Sequence, residues 1–384
     1  MKNWSSTAGL LKNECPWLAD RQDALRVAAF LRIPLHTLDF EKQYQKTVMK
    51  YFFNEYKKGR TPNPDVMCNK EIKFKLLYGW VIKKGFDYLA TGHYAKILSR
   101  RHSERVHPSE ESQTKKEILR RSDALTAQDD AVGWRLLRSN DEFKDQTYFI
   151  YNIKTQQLPH LLFPIGGMKK TAVRLLARKI KLPNAEKKES MGLCFVGKIR
   201  LKDFLGQKLK PKPGPIVLIS AVSLRVQPKQ SYHQKKIAAS PGQSPGLLAM
   251  TGKMIGQHQG LQNFTIGQRQ GIAVGGGGPY YVVKKDLKSN TLFVTDNPDD
   301  KALLTKEVQL HSINWVNASY KLQTTNFKLL GRFRHQGELV PLVISKIDKN
   351  HYRAIFHKPQ KAVASGQSLV LYKGRECVGG GVIG

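Results

Sequence analysis

Apolar residues recur every three or four positions in several segments of the first half of the chain. This spacing predicts amphipathic helices at 20–33, 41–56, 70–84 and 169–181. The predicted buried faces of the first two helices comprise Ala24, Val27, Ala28, Leu31, Tyr44, Val48, Phe52 and Tyr56. The last of the four helices is rich in lysine and arginine.

Apolar segments between these helices predict strands at 34–40, 86–95 and 134–138. Strands that alternate with helices of this length predict an α/β fold, a doubly wound parallel sheet covered on both faces. Ligands of such sheets bind beyond the carboxyl ends of the strands. The turn at Gly92 and His93 and the segment around Cys68 would lie there.

Beyond residue 211 the pattern changes to short alternating strands separated by glycines, which predicts small β-barrels. These strands are expected at 280–283, 291–294, 328–334, 352–356 and 369–372. We therefore predict three domains: an α/β domain at 1–201, a small central domain at 202–285 and a C-terminal β-barrel at 286–384. Two polar segments without periodicity, 99–130 and 222–248, are predicted insertions, the second of them disordered.

The charge balance is strongly basic, with 64 Lys and Arg against 30 Asp and Glu, and a net charge of +34 in 384 residues. A solvated surface or adaptation to organelle import would explain an excess of this kind. However, the stretch 204–285 holds eleven Lys or Arg and no acid. A surface tuned for solubility would mix both signs, so we favour a polyanion such as nucleic acid as partner.

Other compositional features narrow the setting. No apolar run is long enough for a membrane span, and the first residues lack the apolar core of a secretion signal. The four cysteines are too few for a disulfide scaffold, and no pair has the spacing of zinc ligands. We expect a reducing compartment, no membrane partner and no structural metal.

The segment 63–69 carries an acid, Asp65, three residues before a thiol, Cys68. Two prolines and a glycine in and before it predict a loop that presents both side chains. Two simpler interpretations stay open: Cys68 is a buried, inert thiol, and Asp65 caps a turn.

A second thiol, Cys194, lies 126 positions downstream beside Gly192. Lys187 and Lys188 precede it, and positive charge favours the thiolate that a nucleophile requires. A buried structural role is again the alternative, and the sequence alone does not show whether Cys68 and Cys194 meet. Cys15 and Cys377 are predicted to be structural.

Seven sequence blocks together resemble one family, the tRNA-specific 2-thiouridylases, and they occur in the family's order. The blocks are MKNW (1–4), GRTPNPDVMCNKEIKF (59–74), ATGHYA (90–95), KDQTYF (144–149), KKESMGLCFVG (187–197), FTIGQR (264–269) and RFRHQ (332–336). The resemblance implies an enzyme that replaces the C2 oxygen of the wobble uridine of tRNA with sulfur.

The resemblance also implies roles for the loop residues. Cys194 would accept a persulfide sulfur from a donor protein and deliver it to the base, and Cys68 would release it, leaving a transient disulfide. Asn63, Pro64 and Asp65 would lie against the target base, with Asp65 as proton acceptor. Such chemistry needs the base splayed out of the anticodon loop.

Further tRNA contacts implied by the resemblance are Lys144, Asp145, Gln146, Arg332 and Phe333. The alternation of Arg332, Phe333 and Arg334 along a predicted strand would place both arginines on one face. Without the resemblance, residues 144–146 are equally well an ordinary polar turn, and strand arginines are usually solvated.

The family uses ATP, with Mg²⁺ expected beside it, and Met1 and Gly92 match its nucleotide-contacting positions. Its Ser-Gly-Gly-x-Asp-Ser loop, which holds the pyrophosphate, does not occur in this sequence. We therefore expect an incomplete ATP site in the chain as given. The glycines at 275–278 lack the context of a phosphate loop.

Two other interpretations remain: a non-catalytic tRNA-binding remnant, and a relative of the PP-loop amidotransferases and ligases. The second is disfavoured because those relatives lack the pair Cys68 and Cys194. Details of blocks 187–197 and 332–336 resemble mitochondrial members, so we expect a mitochondrial location, with the cytoplasm as alternative. The protein is expected to be a monomer.

Overall fold

The computed structural model describes most of the chain. It covers residues 1–5, 16–99, 133–187, 192, 194, 196–197, 199–219, 252–272, 274, 278–320 and 327–384. Apart from Ser99, the predicted insertion 99–130 lies outside these residues, as do the insertion 222–248, Cys15 and Lys188. The secondary structure named below belongs to the described residues alone.

The first helix spans Pro16–Leu31, beginning four residues before the predicted start. Its predicted face is only partly confirmed. Ala28 is buried and Ala24 and Val27 are half-buried, but Leu31 is 47% exposed. Leu31 is the last residue of the helix, and Arg32 directly after it has a positive φ of 53°, so the chain turns away there.

The next helical run, residues 41–57, confirms its prediction in full. It comprises an α-helix at Glu41–Tyr44, a π-helical stretch at Gln45–Met49 and an α-helix at Lys50–Lys57. All four predicted face residues are buried: Tyr44, Val48, Phe52 and Tyr56. This face packs in one apolar cluster with Trp4, Phe204, Cys68 and Ile72.

A second helical run, residues 64–83, begins within the segment that we predicted as a loop. It comprises an α-helix at Pro64–Cys68, a π-helical stretch at Asn69–Leu77 and an α-helix at Tyr78–Lys83. The loop prediction was wrong for a local reason. Asn63 is the N-cap, whose side chain accepts a hydrogen bond from the Val66 amide at 3.3 Å, and Pro64 occupies the first turn, where a missing N–H costs nothing.

Two predicted strands are much shorter than expected. Residues 34–40 form only an isolated parallel bridge between Asp39 and Lys2, and most of the segment is exposed. The segment 86–95 contributes a two-residue strand, β1 (Leu89–Ala90). Three strands follow in the N-terminal half: β2 (Ala95–Ser99), β3 (Trp134–Arg138) and β4 (Leu161–Leu162). Because β1 pairs with β4 in parallel, the turn after β1 is held at the end of that pair.

Three further α-helices lie in the N-terminal half and just after it, at Thr147–Ile150, Lys170–Lys179 and Leu201–Gly206. The second confirms the predicted basic helix. Short 3-10 turns lie at Thr155–His160, Leu261–Asn263, Lys301–Leu303 and Ala318–Tyr320.

A four-stranded sheet forms the central part of the chain. Its strands are β5 (Gly214–Ile219), β6 (Gly252–His258), β7 (Tyr281–Asp286) and β8 (Thr291–Thr295), in the order β6-β5-β8-β7. One apolar cluster on this sheet includes Ile216, Phe264, Val282 and Leu292. The predicted strands 280–283 and 291–294 are confirmed.

The C-terminal part is a closed six-stranded antiparallel barrel. Its strands are β9 (Leu304–Trp315), β10 (Phe327–Arg332), β11 (Val340–Lys346), β12 (His351–Lys361), β13 (Ser368–Lys373) and β14 (Glu376–Ile383). Closure follows from β13, which pairs with both β10 and β14. The hairpin of β2 and β3 joins the outside of this sheet through Glu376 and Leu137.

The strand predicted at 328–334 ends at Arg332, so Arg332 and Arg334 do not share a face. Arg332 is buried, and its Nη1 donates to Oδ2 of Asp145 at 2.9 Å. Asp145 also accepts from the Thr147 hydroxyl at 2.8 Å and from the Ser139 amide at 3.2 Å. This buried carboxylate therefore fastens the N-terminal part to the barrel.

No helix in the described part of the chain has the length and apolarity that crossing a bilayer requires.

We predict that Asp145→Ala lowers the free energy of unfolding by about 3–5 kcal/mol, because it leaves the Arg332 guanidinium buried without its counter-ion. Urea unfolding of the barrel measures the change. As control, Glu307→Ala breaks an exposed pair with Arg353 and should leave the free energy of unfolding nearly unchanged. Equal losses of unfolding free energy in the two variants would contradict a special stabilising role of the buried pair.

Candidate active site

The structure brings the two predicted thiols together. Cys68 is buried on the second helical run, Cys194 is half-buried, and both are free thiols whose side chains contact each other. The Cys194 backbone is held at both ends: its amide donates to Oδ1 of Asp65 at 3.0 Å, and its carbonyl accepts from the Tyr44 hydroxyl at 2.9 Å. Disulfide exchange between Cys68 and Cys194 needs this proximity.

The environment separates the acidities of the two thiols. The hydrogen bond from Cys68 lowers the pKa of Cys194, and the charge of Lys73 lowers it further against the effect of burial. The same hydrogen bond, with burial, raises the pKa of Cys68. Cys194 is therefore the thiol that is more readily ionised, as its predicted role as sulfur acceptor requires.

Lys73 is a cation in contact with Cys194, and it is not among the residues predicted from the sequence. The sequence predicts that Lys187 and Lys188 supply the charge. However, Nζ of Lys187 lies 2.6 Å from Asp20 and 2.6 Å from Asp23 of the first helix, and Lys188 lies outside the described residues. Lys73 lies eight residues after Asp65, a separation at which two residues of one helix can contribute to the same face. It was hidden because we assigned the segment around Asp65 to a loop.

Asp65, the predicted proton acceptor, is half-buried beside Cys194. Burial raises the pKa of its carboxyl, while the hydrogen bond from the Cys194 amide and the charge of Lys73 act in the opposite direction. A carboxylate with a raised pKa is a stronger base at neutral pH than an exposed one. Asp65 thus both positions Cys194 and has the basicity for proton transfer.

The Gly92 turn reaches the same helix, as predicted for the end of strand β1. Nε2 of His93 lies 3.2 Å from Oδ1 of Asn69, the residue after Cys68, and its Nδ1 lies 2.8 Å from the Thr91 hydroxyl. Burial, with the charge of Lys73, lowers the pKa of His93 to about 3. His93 is therefore neutral at physiological pH and acts here as a hydrogen-bonding group.

The other predicted tRNA-contacting residues have varied surroundings. Asn63 caps the helix and Pro64 begins it, beside Asp65. Oε1 of Gln146 accepts from the Tyr94 amide at 3.0 Å and so holds the chain after His93. Lys144 is half-buried. Contact of these residues with tRNA stays a prediction.

Residues 145 and 332–333 are less accessible than the prediction assumed. The side chains of Asp145 and Arg332 are buried and bonded to each other. Phe333 is half-buried against Phe356, and the Arg334 guanidinium lies 5.2 Å from its ring centroid. Among these residues, Arg334 is exposed.

A cavity of about 140 Å³ lies at Met1, one of the predicted nucleotide contacts. Asn3, His36 and Thr37 also line it, and the amide nitrogen and oxygen of Asn3 are buried without a hydrogen-bond partner. An unpaired amide that offers both a donor and an acceptor fits the edge of a nucleobase. No group of three or more His, Cys, Asp or Glu in the described ranges is arranged to hold a metal ion.

Comparisons with known proteins agree with this architecture. The model of the tRNA methyl transferase HUP domain matches residues 1–198, that of the tRNA methyl transferase PRC-barrel domain matches 234–296, and that of the aminomethyltransferase beta-barrel domain matches 305–383. They define an α/β HUP-domain protein with a PRC barrel and a C-terminal β-barrel, which confirms the predicted fold class.

Curated relatives extend along the whole chain. The tRNA-specific 2-thiouridylase MnmA of Flavobacterium johnsoniae is 37% identical and that of Christiangramia forsetii 36%, each over all of this chain and 92% of the relative. The enzyme of Pediococcus pentosaceus is 34% identical over all of this chain and 86% of its own length. The chain belongs to the tRNA-specific 2-thiouridylase family.

We predict that Lys73→Met slows alkylation of Cys194 by iodoacetamide at pH 7 and moves the pH profile of the rate to higher pH. The reason is that the thiolate of Cys194 loses the stabilisation provided by the Lys73 ammonium, so the pKa of Cys194 rises. Peptide mass spectrometry follows the modification. Lys75→Met is the matched control, since Lys75 is exposed and pairs with Glu71. Identical profiles for wild type and Lys73→Met would contradict this assignment.

Proposed function

We propose that this protein converts the wobble uridine of tRNA to 2-thiouridine, with Cys194 as sulfur carrier and Cys68 as the thiol that releases the product. The observation that carries the proposal is the contact of these two side chains beside Asp65 and Lys73. Membership of the thiouridylase family supports the tRNA substrate.

Cys194 first receives sulfur. Its thiolate attacks the outer sulfur of a persulfide on a donor protein. The S–S bond of the donor breaks, the donor cysteine leaves as a thiolate, and Cys194 becomes a persulfide. The proposal therefore includes a sulfur-donor protein as partner. Lys73 stabilises the negative charge at Cys194 during this step, because it is the cation in contact with that side chain.

The terminal sulfur of the Cys194 persulfide then attacks C2 of the uridine. ATP, bound with Mg²⁺, would supply the activation by which the C2 oxygen leaves with AMP. The new C2–S bond forms as the C2–O bond breaks, and Asp65 takes up the proton released at the base. The result is a uridine joined to Cys194 through a disulfide.

Cys68 completes the reaction. Its thiolate attacks Sγ of Cys194, the S–S bond to the transferred sulfur breaks, and 2-thiouridine leaves with the electron pair of that bond. Cys68 and Cys194 end as a disulfide, and an external dithiol reduces it before the next cycle. Because the pKa of Cys68 is raised, the attack requires Cys68 to lose its proton as it reacts.

The proposal also covers the setting of the reaction. The net charge of +34 suits an enzyme that holds tRNA, and it supports a mitochondrial location, with the cytoplasm as alternative. We propose that the protein acts as a monomer. Met1 and Asn3 would hold the base of the nucleotide, as the unpaired Asn3 amide supports.

We predict that Cys194→Ser abolishes transfer of sulfur-35 from a persulfide donor to tRNA and leaves tRNA affinity nearly unchanged. The substitution removes the sulfur that becomes the persulfide but alters no positive charge. Labelled tRNA is isolated and counted. Cys377→Ser, a change at the buried barrel cysteine, is the control and should retain transfer. Label reaching tRNA through Cys194→Ser would sink the proposal.

Cys68→Ser should stop the reaction one step later. The uridine stays joined to Cys194 because no neighbouring thiol attacks Sγ, so a tRNA–protein adduct accumulates. Non-reducing gel electrophoresis detects this adduct, and dithiothreitol releases 2-thiouridine from it. If Cys68→Ser forms free 2-thiouridine at the wild-type rate without added thiol, Cys68 has no part in release.

A further inference from the structure

We infer that a cavity at the junction of the three parts of the chain is a phosphate-binding site. The cavity has a volume of about 300 Å³ and lies apart from the cysteine pair. Three segments and two single apolar residues line it. The segments are residues 58–61, which precede the second helical run, residues 283–285 of β7, and residues 364–365, which precede β13; the single residues are Ile266 and Leu287.

Four cationic side chains line this junction cavity: Lys58, Arg60, Lys284 and Lys285. One carboxylate, Glu55, pairs with Lys58 at 3.2 Å and with Arg60 at 3.3 Å. In the part of the chain that the structure describes, no acid lies within salt-bridge distance of Lys284 or Lys285. The cavity wall thus keeps an excess of three positive charges.

Lys285 gives the strongest indication that the cavity binds an anion. Its Nζ donates to the Phe264 carbonyl at 2.7 Å, and burial lowers its pKa to about 8. Moving an ammonium out of water is costly unless an opposite charge compensates for it. A carbonyl satisfies one of its three N–H donors, and an anion in the cavity would accept from the others.

Phosphate is the anion that fits this wall best. It offers several oxygens and up to two negative charges to the cations of two lining segments, 58–61 and 283–285. Arg60 and the lysines are the usual side chains for this task. The source is either a phosphodiester of RNA or free phosphate and pyrophosphate. RNA is favoured because residues 204–285 contain no acid; that choice rests on the proposed function, whereas the phosphate chemistry does not.

The position of the cavity connects it to the helix that bears the cysteine pair's Cys68. The Thr61 amide donates to the Ser365 carbonyl at 2.9 Å, and the hydroxyls of Thr61 and Thr265 lie 3.1 Å apart. Gln367 donates to the Thr61 carbonyl at 2.7 Å. A phosphate in the cavity therefore touches the segments that together hold the start of the helix bearing Asp65 and Cys68.

The test compares Lys285→Met, Lys285→Arg and the control Lys288→Met in the full chain. Lys288 is an exposed lysine of the same hairpin. Two quantities are measured: the slope of log affinity for tRNA against log salt, and binding of ³²P-labelled inorganic phosphate and pyrophosphate by equilibrium dialysis. Lys285→Met should make the slope shallower by about 0.7–0.9, the change expected for one lost phosphate contact. Lys285→Arg and Lys288→Met should match wild type.

The outcomes are distinct. If Lys285→Met loses phosphate and pyrophosphate binding but keeps the wild-type slope with tRNA, the site stands and its ligand is the free anion. If both quantities equal those of wild type, the inference is overturned, whatever the thiolation activity. Thermal melting checks folding. Should Lys285→Met melt below wild type, Lys284→Met takes its place in the same two measurements.

Discussion

The hydrogen bond from the Cys194 amide to the Asp65 carboxylate, 3.0 Å long, is the contact on which the candidate active site depends. It ties a residue of the first turn of one helix to a thiol more than a hundred positions away. Tyr44, from the other helical run, holds the Cys194 carbonyl. With both backbone groups fixed, the thiol is confined beside Cys68 and Lys73. Asp65 is therefore a positioning group, and the proposed role as proton acceptor would fall to the same side chain.

That helix is in turn positioned from outside the α/β part. Thr61, two residues before the N-cap, bonds to Ser365 and Gln367 next to strand β13 and to Thr265 in the central part. Gly366, with φ of +89°, allows the close approach, since a Cβ there would lie 2.9 Å from the Thr61 carbonyl oxygen. The barrels thus hold the helix start directly, and this contact couples them physically to the helix that carries Cys68.

Sequence patterns were most informative where burial and periodicity agree. The face of the helical run 41–57 was predicted from Tyr44 to Tyr56, and the strand at 134–138 and three of the six barrel strands, β10, β12 and β13, were likewise predicted. The Asn63-Pro64 pair was misassigned because the same residues favour both loops and helix starts. That error concealed Lys73, whose relation to Asp65 is visible only on a helix. The pairing of Asp145 with Arg332 was out of reach, since it joins positions that no local pattern relates.

The central claim is that Cys68 releases 2-thiouridine by forming a disulfide with Cys194 within one turnover, and a single-turnover reaction without reductant tests it most directly. Wild-type protein loaded with one persulfide reacts with tRNA and ATP. The 2-thiouridine formed and the disulfide between Cys68 and Cys194 are then quantified by mass spectrometry. The account predicts one disulfide for each 2-thiouridine. Formation of 2-thiouridine while both cysteines stay free thiols would contradict it.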